Sequence, residues 1–537
     1  MKPGRLISLL CLLFLVAQCY AERPPQAGTG LVWPVGDVKE ILKLPYIHYG
    51  QTVTTWKGIE PQEGVFDWTK FDETLKMYHD MGKRVPIQVN SPVPEWIFNY
   101  VANMGTSRGG NAPQYWDPVY QEKLKTFINA YAKHVGTSPY KDTVLYARMQ
   151  FLAINTEILE FGGKYVQGTA SPDRKKWILP KNGHVYDVEL TDAIRGQMIQ
   201  QITNMYLEAF GKYNIPVGLR LPAEKMLDDV GLNGQAIFDK WCASPLAWLI
   251  TTHYSLGLIG SAEQAQWRRR CRELGTTGFM EAFGPISPGA PSKNFDPADL
   301  HGKMWGAALP DASGNLKLVE LDPQQAFYWQ MLLNLDMGGS YISLYGLDAL
   351  WIKDLPQCLE AVDLINKYAG YQHDPAQSPG AWIALGQFHA RGAAAGKAAS
   401  KNASAPAAKA DQNWGWYIKQ DNPKPEEAVY NAGPNDDVHG VWARRIKGSA
   451  TFTLDPAFAE SLKDKAGAIE VMWLNEPSAD LNLLSNGTPL GTLKTDGSGQ
   501  WKHQILELNP SAITSGKLEI QPPANGAVIH MIEVLKR

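Results

Sequence analysis

The stretch TTWKGIEPQEGVFDW, from Thr54 to Trp68, stands between two segments of different periodicity, and this change decides the fold interpretation. The preceding residues, YIHYGQTV, form an apolar run that is typical of a β-strand. The following residues, WTKFDETLKMYHDMG, place Phe71, Leu75 and Tyr78 on one face of a helix that stops at Gly82. RVPIQVN then predicts another short buried strand. A strand, a helix and a second strand in this order indicate parallel pairing through a crossover helix.

The same alternation continues along the chain. Apolar runs such as TVLYARMQFLAIN, IPVGLRLP, LAWLITTHYS, GFMEAFG and GSYISLYG alternate with amphipathic segments such as PVYQEKLKTFINAYAKHVG and DAIRGQMIQQITNMYLEAFGKY. With an early strand at GLVWPVG, about eight strands precede Gly346, which predicts a (β/α)₈ TIM barrel of the α/β class. The alternative is an open doubly wound sheet, but no glycine-rich nucleotide turn follows the first strand.

The composition changes after the predicted barrel. Residues Ala390–Ala410 form a low-complexity Ala/Lys/Ser tract, which is typical of a solvated loop. Beyond it, short alternating runs separated by Gly, Pro and Asn-Gly turns predict an antiparallel β-sandwich, and a similar run before the tract starts near Gly380. We therefore expect a signal peptide at 1–21, a catalytic barrel at 22–375 and a β-sandwich domain at 376–537 that contains the tract as a loop at 390–410.

The N-terminal residues are typical of an export signal. MKPGR is basic, LISLLCLLFLVA is apolar but too short to span a bilayer, and CYA precedes Glu22 like a cleavage site. A secreted or periplasmic protein is expected; a lipid-anchored outer-membrane form through Cys19 is the less favoured alternative. The net charge of −3 gives no indication of a nucleic-acid partner.

Polar and aromatic residues follow the predicted barrel strands at their carboxyl ends, where barrel active sites lie. The candidates for substrate binding are Trp56, Gln88, Asn90, Trp96, Asn155, His253, Tyr254, Trp305 and Tyr345. The candidate carboxylates are Glu157, Glu160 and Glu281. Two carboxylates on opposite walls of one pocket suit glycoside hydrolysis, because one protonates the departing oxygen and the other attacks the anomeric carbon. Arg148 and Arg220 are candidates either for binding an acidic glycan or for internal ion pairs.

The segment TTWKGIEPQEGVFDWTKFDETLKMYHDMGKRVPIQV, followed by SPVPEW, resembles the β-galactosidase-like members of clan A glycoside hydrolases. The resemblance covers residues 54–96 well and the remainder only in outline. It implies an acid/base Glu after the fourth strand and a nucleophilic Glu after the seventh, which correspond to Glu157 and Glu281. The clan has Asn directly before the acid/base, whereas this sequence has AINTE. Asn155 and Glu157 can still share one side of a strand, and Glu160 is the alternative acid/base.

The sequence therefore predicts a retaining glycoside hydrolase that acts on a polysaccharide or oligosaccharide, with no metal and no organic cofactor in the reaction. A galactan such as agar or carrageenan is one candidate substrate, and a small β-galactoside is another. A non-catalytic carbohydrate-binding protein on a degenerate barrel is the alternative of a different class. No membrane span is expected, and the sequence leaves the oligomeric state open.

Overall fold

The protein is described from a computed structural model of the chain. The residues that it describes are 26–32, 37–52, 54–90, 92–101, 113–149, 176–178, 185–187, 192–220, 231–252, 278–281, 306–310, 316–320, 322–386, 413–477, 480–513 and 515–537. The Ala-rich tract and the predicted signal peptide lie outside them.

The first part of the chain alternates strands and helices. In chain order its strands are β1 (Gly28–Val32), β2 (Thr54–Thr55), β3 (Val85–Ile87), β4 (Val89–Asn90), β5 (Val144–Arg148), β6 (Lys176–Ile178), β7 (Val185–Asp187), β8 (Val217–Arg220), β9 (Ala247–Thr252), β10 (Gly278–Glu281), β11 (Gly306–Pro310), β12 (Leu316–Glu320) and β13 (Gly339–Tyr345). Its helices are α1 (Val38–Leu42), α2 (Trp56–Ile59), α3 (Thr69–Asp80), α4 (Pro118–Thr137), α5 (Asp192–Gly211), α6 (Gly234–Cys242), α7 (Pro323–Asp336), α8 (Gly346–Trp351) and α9 (Pro356–Tyr368).

Seven of these strands form one parallel sheet in the order β1-β13-β10-β9-β8-β5-β3. The segment from 48 to 52 bonds to both edges of this sheet. His48 N donates to Thr29 O at 2.8 Å on the β1 side, and Gly50 N donates to Arg84 O at 3.0 Å on the β3 side. The backbone pairing therefore continues from one edge to the other and forms a ring.

Aromatic side chains fill the interior of this ring. Tyr49, Tyr146 and Tyr341 are fully buried and come from three different parts of the ring. The Tyr49 and Tyr341 rings meet edge to face at 5.3 Å, and Trp248 stacks on Tyr341 at 5.7 Å. The rings of Tyr49, Trp248 and Tyr341 therefore contact one another inside the described part of the ring.

The helix signals of the sequence correspond to helices in the structure. In α3 the buried residues are Phe71, Leu75 and Tyr78, the face that the spacing predicts, and Gly82 follows with φ 64°, a left-handed conformation that favours glycine. Asp117 caps α4, because its Oδ1 accepts from Val119 N at 2.8 Å, and Pro118 begins the helix.

The second part of the chain is antiparallel. Its strands are β14 (Gly380–Ala384), β15 (Trp414–Trp416), β16 (Ile418–Gln420), β17 (Ala428–Tyr430), β18 (Trp442–Ile446), β19 (Ala450–Leu454), β20 (Gly467–Leu474), β21 (Leu481–Ser485), β22 (Thr488–Leu493), β23 (Trp501–Leu508), β24 (Lys517–Gln521) and β25 (Ala527–Lys536), with a short helix α10 (Pro456–Ser461). One sheet is built around β25 and the other runs β16-β19-β24-β21-β22. Buried aliphatic side chains from both sheets form a common core, so the two sheets pack on each other.

The two parts of the chain share a buried aromatic interface. Trp329 of α7 is fully buried, its Nε1 donates to Val438 O at 2.7 Å, and its ring lies 4.8 Å from that of Trp442. Trp414 and Trp416 are buried at the same junction. The structure therefore uses Trp414, Trp416 and Trp442 for packing rather than for a carbohydrate platform.

The α/β class with additional antiparallel sheets is confirmed. In the described ranges, none of the helices combines the length and the apolar character needed to cross a membrane.

Candidate active site at the carboxyl ends of the parallel strands

The predicted nucleophile is the last residue of β10. Glu281 is the register partner of Thr252, the last residue of β9. Phe279, two positions earlier, is the partner of Ile250 and Tyr341, which belong to the interior aromatic layer. Because faces of a strand alternate with a period of two, positions 279 and 281 lie on the same face. The backbone thus places position 281 at the carboxyl edge of the ring, one step beyond the layer that fills it.

The predicted acid/base residues cannot be located in the same way. Both acid/base candidates, Glu157 and Glu160, lie outside the described residues. The same holds for four candidates for substrate binding: Asn155, His253, Tyr254 and Trp305. Their roles stay predictions from the sequence.

A buried polar cluster lies above the interior aromatic layer, and it consists of Gln51, Gln88, Asn90 and Arg148. Gln88 Oε1 accepts from Gln51 Nε2 at 3.0 Å and from Arg148 Nη1 at 2.8 Å, and Gln88 Nε2 donates to Asn90 Oδ1. Gln88 is 1% exposed and Arg148 is 2% exposed. These bonds give Gln88 a positioning role toward Arg148 and Asn90, and its contact with a substrate stays a prediction.

Arg148 gives this end of the ring a fixed positive charge. It ends β5, between β3 and β8 in the sheet, and its guanidinium stays protonated in any protein environment. A buried cation favours the ionised form of carboxylates near it. Gln51, which the sequence analysis missed, stands two positions after Tyr49 of the interior layer, and this period-two spacing is the signal that could have identified it.

The structure corrects the predicted role of Trp56. β2 ends at Thr55, whose side chain caps the short helix α2 by accepting from Gly58 N at 3.0 Å. Trp56 therefore begins a helix instead of ending a strand. Its ring has no exposed surface and stacks on Phe127 of α4 at 4.8 Å. A ring buried against a neighbouring helix cannot form the wall of a sugar pocket, so Trp56 is a structural residue.

Glu60 and Gly64 of the Thr54–Trp68 stretch have a joint structural role. Its Oε2 accepts from Trp56 Nε1 at 2.7 Å and its Oε1 accepts from Gly64 N at 2.8 Å. Burial raises the pKa of the Glu60 carboxyl, and these two hydrogen bonds oppose the rise. Gly64 has φ 74°, which a side chain would strain. The Glu60 carboxyl group thus connects Trp56, at the start of α2, to the turn at Gly64.

Two predicted substrate residues keep exposed surface. Trp96 is half-buried, and its Nε1 donates to Glu60 O at 3.0 Å, which fixes the edge of the ring while part of the ring stays accessible. Tyr345 is also half-buried; it ends β13 opposite Val32 of β1 and precedes α8. Contact of Trp96 and Tyr345 with a substrate stays a prediction.

We expect Trp56→Phe to lower the free energy of unfolding by about 1–3 kcal/mol, because it removes the indole N–H that bonds to the buried Glu60 carboxyl. Urea denaturation measures the change. Trp96→Phe is the matched control: the same substitution at a half-buried ring removes a bond to a backbone carbonyl, and a loss of about 1 kcal/mol or less is expected. Equal, negligible losses in both variants would contradict the role assigned to Trp56.

Comparison with known proteins finds a family model that matches part of this region. Residues 37–139, about a fifth of the chain, match glycoside hydrolase family 42, described as β-galactosidase. The matched range contains the Thr54–Trp68 stretch, α3 and α4, and three members of the buried polar cluster, Gln51, Gln88 and Asn90. The resemblance of this segment to β-galactosidase-like glycoside hydrolases of clan A is confirmed. Among curated proteins, none matches the sequence.

Solved structures with similarity to the chain include two β-galactosidases and a xylanase. A β-galactosidase from Rahnella sp. R3 has 14% identity and a TM-score of 0.37, over 64% of this chain and 56% of that protein. A β-galactosidase from the psychrophilic Marinomonas ef1 has 12% identity and a TM-score of 0.34, over 63% and 59%. Xylanase B from Clostridium stercorarium F9 has 14% identity and a TM-score of 0.33, over 60% and 86%. The alignment thus spans less than two thirds of either β-galactosidase.

Proposed function

We propose that this chain, which is a β-galactosidase-like glycoside hydrolase sequence over residues 37–139, is as a whole a retaining hydrolase of galactose-containing oligosaccharides or polysaccharides. The observation that carries the proposal is the combination of the family match with a glutamate, Glu281, as the last residue of a strand in the parallel ring. Catalytic groups of such rings come from the carboxyl ends of the strands.

The proposal takes the ring to be a (β/α)₈ barrel and the two antiparallel sheets to be a β-sandwich domain. In support, parallel pairing runs through β1, β13, β10, β9, β8, β5 and β3, and the segment 48–52 bonds to both edges. That segment supplies the eighth strand position, between β1 and β3. In chain order β5 is then the fourth strand and β10 the seventh.

The proposed chemistry needs two carboxyl groups with different protonation states. Glu281 attacks the anomeric carbon as an ionised nucleophile and forms a glycosyl-enzyme, while Glu157 protonates the departing oxygen and then activates the water that releases the sugar. Glu160 is the alternative acid/base. The buried charge of Arg148 at the end of β5 supports the ionised state of carboxylates at this end of the ring.

The substrate class follows from the family described as β-galactosidase, and the size of the substrate is a separate proposal. Trp96 and Tyr345 offer partly exposed rings, and sugar C–H faces stack on such rings. We favour a galactan fragment over a small β-galactoside. The apolar N-terminal run supports export of the enzyme to the periplasm or the medium.

The experiment is a panel of galactosides with product analysis. The purified chain is incubated with an aryl β-galactoside, lactose and oligosaccharides of agar, carrageenan and plant galactan, with xylan as the non-galactose control. We expect hydrolysis of at least one galactoside, and proton NMR of the first-formed sugar is expected to show the β-anomer, because two displacements retain configuration. An α-anomer would contradict the retaining mechanism. No hydrolysis of any galactoside, or a product with an ultraviolet-absorbing unsaturated end, would contradict the proposed function.

A further inference from the structure

A second cluster of chemically active side chains lies at the interface between the two parts of the chain. Glu360 is on α9, His439 is in the loop before β18, and His503 is on β23. One carboxylate oxygen of Glu360 and one ring nitrogen of each histidine lie within 4.8 Å of one another. The interface cluster, Glu360 with His439 and His503, is thus assembled from three distant positions in the sequence.

The spacing of its atoms is close to that of a coordination sphere. His439 Nε2 lies 3.0 Å from Glu360 Oε2, and His503 Nε2 lies 3.4 Å from Glu360 Oε1. Ligand atoms about 2.0–2.2 Å from a tetrahedral zinc ion are about 3.3 Å from each other. With one ligand atom from each side chain within 4.8 Å of the others, the three side chains are close enough to surround one ion after rotation.

Both imidazole rings are held in the orientation that metal binding requires. His439 Nδ1 lies 2.6 Å from Asp437 Oδ1, and His503 Nδ1 lies 2.7 Å from Glu470 Oε1. Each ring thus has a carboxylate on its Nδ1 and directs its Nε2 toward Glu360. A carboxylate on the far nitrogen fixes the tautomer and raises the basicity of a histidine ligand, and this arrangement accompanies most histidine-bound metals.

The cluster has a buried floor and an open side. The His439 side chain is 5% exposed, whereas that of His503 is 42% exposed and that of Glu360 27%. On the buried side, Tyr328 OH donates to Glu360 Oε1 at 3.3 Å. An ion can therefore enter from solvent on the His503 side, where water completes its coordination.

We propose that the interface cluster binds one divalent transition-metal ion of the zinc type, which links α9 to β23 and to the loop before β18. Two imidazole nitrogens with one carboxylate form a donor set that favours Zn²⁺ over Mg²⁺ or Ca²⁺, which prefer oxygen ligands. The ion takes no part in sugar cleavage; it stabilises the junction between the barrel helices and the antiparallel sheets.

The test is isothermal titration calorimetry. The full chain is first treated with a chelator and is then titrated with Zn²⁺ alone in a buffer without phosphate. We expect one Zn²⁺ per chain, no binding of Mg²⁺ at equal concentration, and a higher Tm with Zn²⁺ because the ion binds the folded state. His503→Gln changes an exposed ligand and is expected to raise the Kd about 100-fold or more. Glu470→Gln, which removes only the orienting carboxylate, is expected to raise it about tenfold.

The matched control is His134→Gln. His134 also pairs with a carboxylate, at 2.7 Å from Asp72 Oδ1, but it belongs to the pair on α3 and α4 and not to the interface cluster. The Kd of the His134→Gln variant for Zn²⁺ is expected to equal that of the parent chain. Co²⁺ added to the unaltered chain is expected to give the visible absorption of tetrahedral coordination, a measurement that needs no variant.

Two outcomes overturn the proposal. One is the absence of stoichiometric Zn²⁺ binding and of the Co²⁺ spectrum in the parent chain. The other is an unchanged Kd in both His503→Gln and Glu360→Gln. Either result would leave the interface cluster as a network of ion pairs between carboxylates and protonated histidines.

Discussion

Glu281→Gln is expected to lower kcat on a β-galactoside by on the order of 10⁴-fold or more, with the fold unchanged. The reason is that a glutamine amide carries no charge and does not attack the anomeric carbon, so the glycosyl-enzyme does not form. A factor of 10⁴ corresponds to about 5.5 kcal/mol of transition-state stabilisation. Steady-state kinetics with an aryl β-galactoside measure the loss, and circular dichroism checks the fold.

Two further observations identify Glu281 as the nucleophile in this experiment. In the truncated variant Glu281→Ala, which leaves space beside the anomeric carbon, azide is expected to restore turnover by attacking that carbon as the aryl group leaves, and the product would be the galactosyl azide of inverted configuration. Glu95→Gln is the matched control, since Glu95 is an exposed carboxylate paired with Lys57 at 3.1 Å and is expected to leave kcat unchanged. A kcat within tenfold of the parent value in Glu281→Gln would remove this residue from the mechanism.

The second large effect is expected for Glu157→Gln, and it depends on the leaving group. On lactose, whose departing sugar needs a proton, kcat/KM is expected to fall by about 10²–10⁴-fold. On a nitrophenyl galactoside, whose leaving group departs unprotonated, kcat/KM is expected to change little. With the nitrophenyl galactoside, kcat and KM are expected to fall by the same factor. The glycosyl-enzyme still forms, but the base that activates water for its hydrolysis is missing.

Glu160→Gln decides between the two candidates for the acid/base. If Glu157 has this role, Glu160→Gln keeps the same ratio of lactose to nitrophenyl galactoside activity as the parent chain. The opposite pattern, with the leaving-group dependence in Glu160→Gln alone, would transfer the role to Glu160. Neither variant showing that dependence would contradict acid/base catalysis from this segment.

Regular elements were predictable where burial leaves a pattern of apolar residues. The spacing of Phe71, Leu75 and Tyr78 predicted α3, because burial of one helix face imposes its period on the sequence. The apolar run RVPIQVN predicted β3 and β4, which are buried at every position. The segment 48–52 was also predicted as a strand, and the structure shows two backbone hydrogen bonds from it to the β1 side and two to the β3 side.

Side-chain roles were predicted less well because they depend on distant partners. Trp56 was assigned to substrate binding, but the stacking partner that fixes its ring, Phe127, belongs to α4, which is distant in the sequence. Gln88 was placed near a strand end, whereas the hydrogen bonds of its Oε1 with Gln51 and Arg148 are visible only in three dimensions. The interface cluster had no local signal at all, since its members come from α9, a loop and β23. The period of the apolar residues indicates which face of a helix or strand is buried. It does not indicate which residues that face contacts.

The position of β25 has a consequence for how this chain is made. β14, β18 and β20 all pair with β25, so the sheet that covers α7 cannot assemble before residues 527–536 have left the ribosome. Until then the parallel-strand part of the chain would carry Trp329 on an uncovered surface, and such surfaces are prone to aggregation. The exposure of α7 during folding therefore ends only when β25 has joined its sheet.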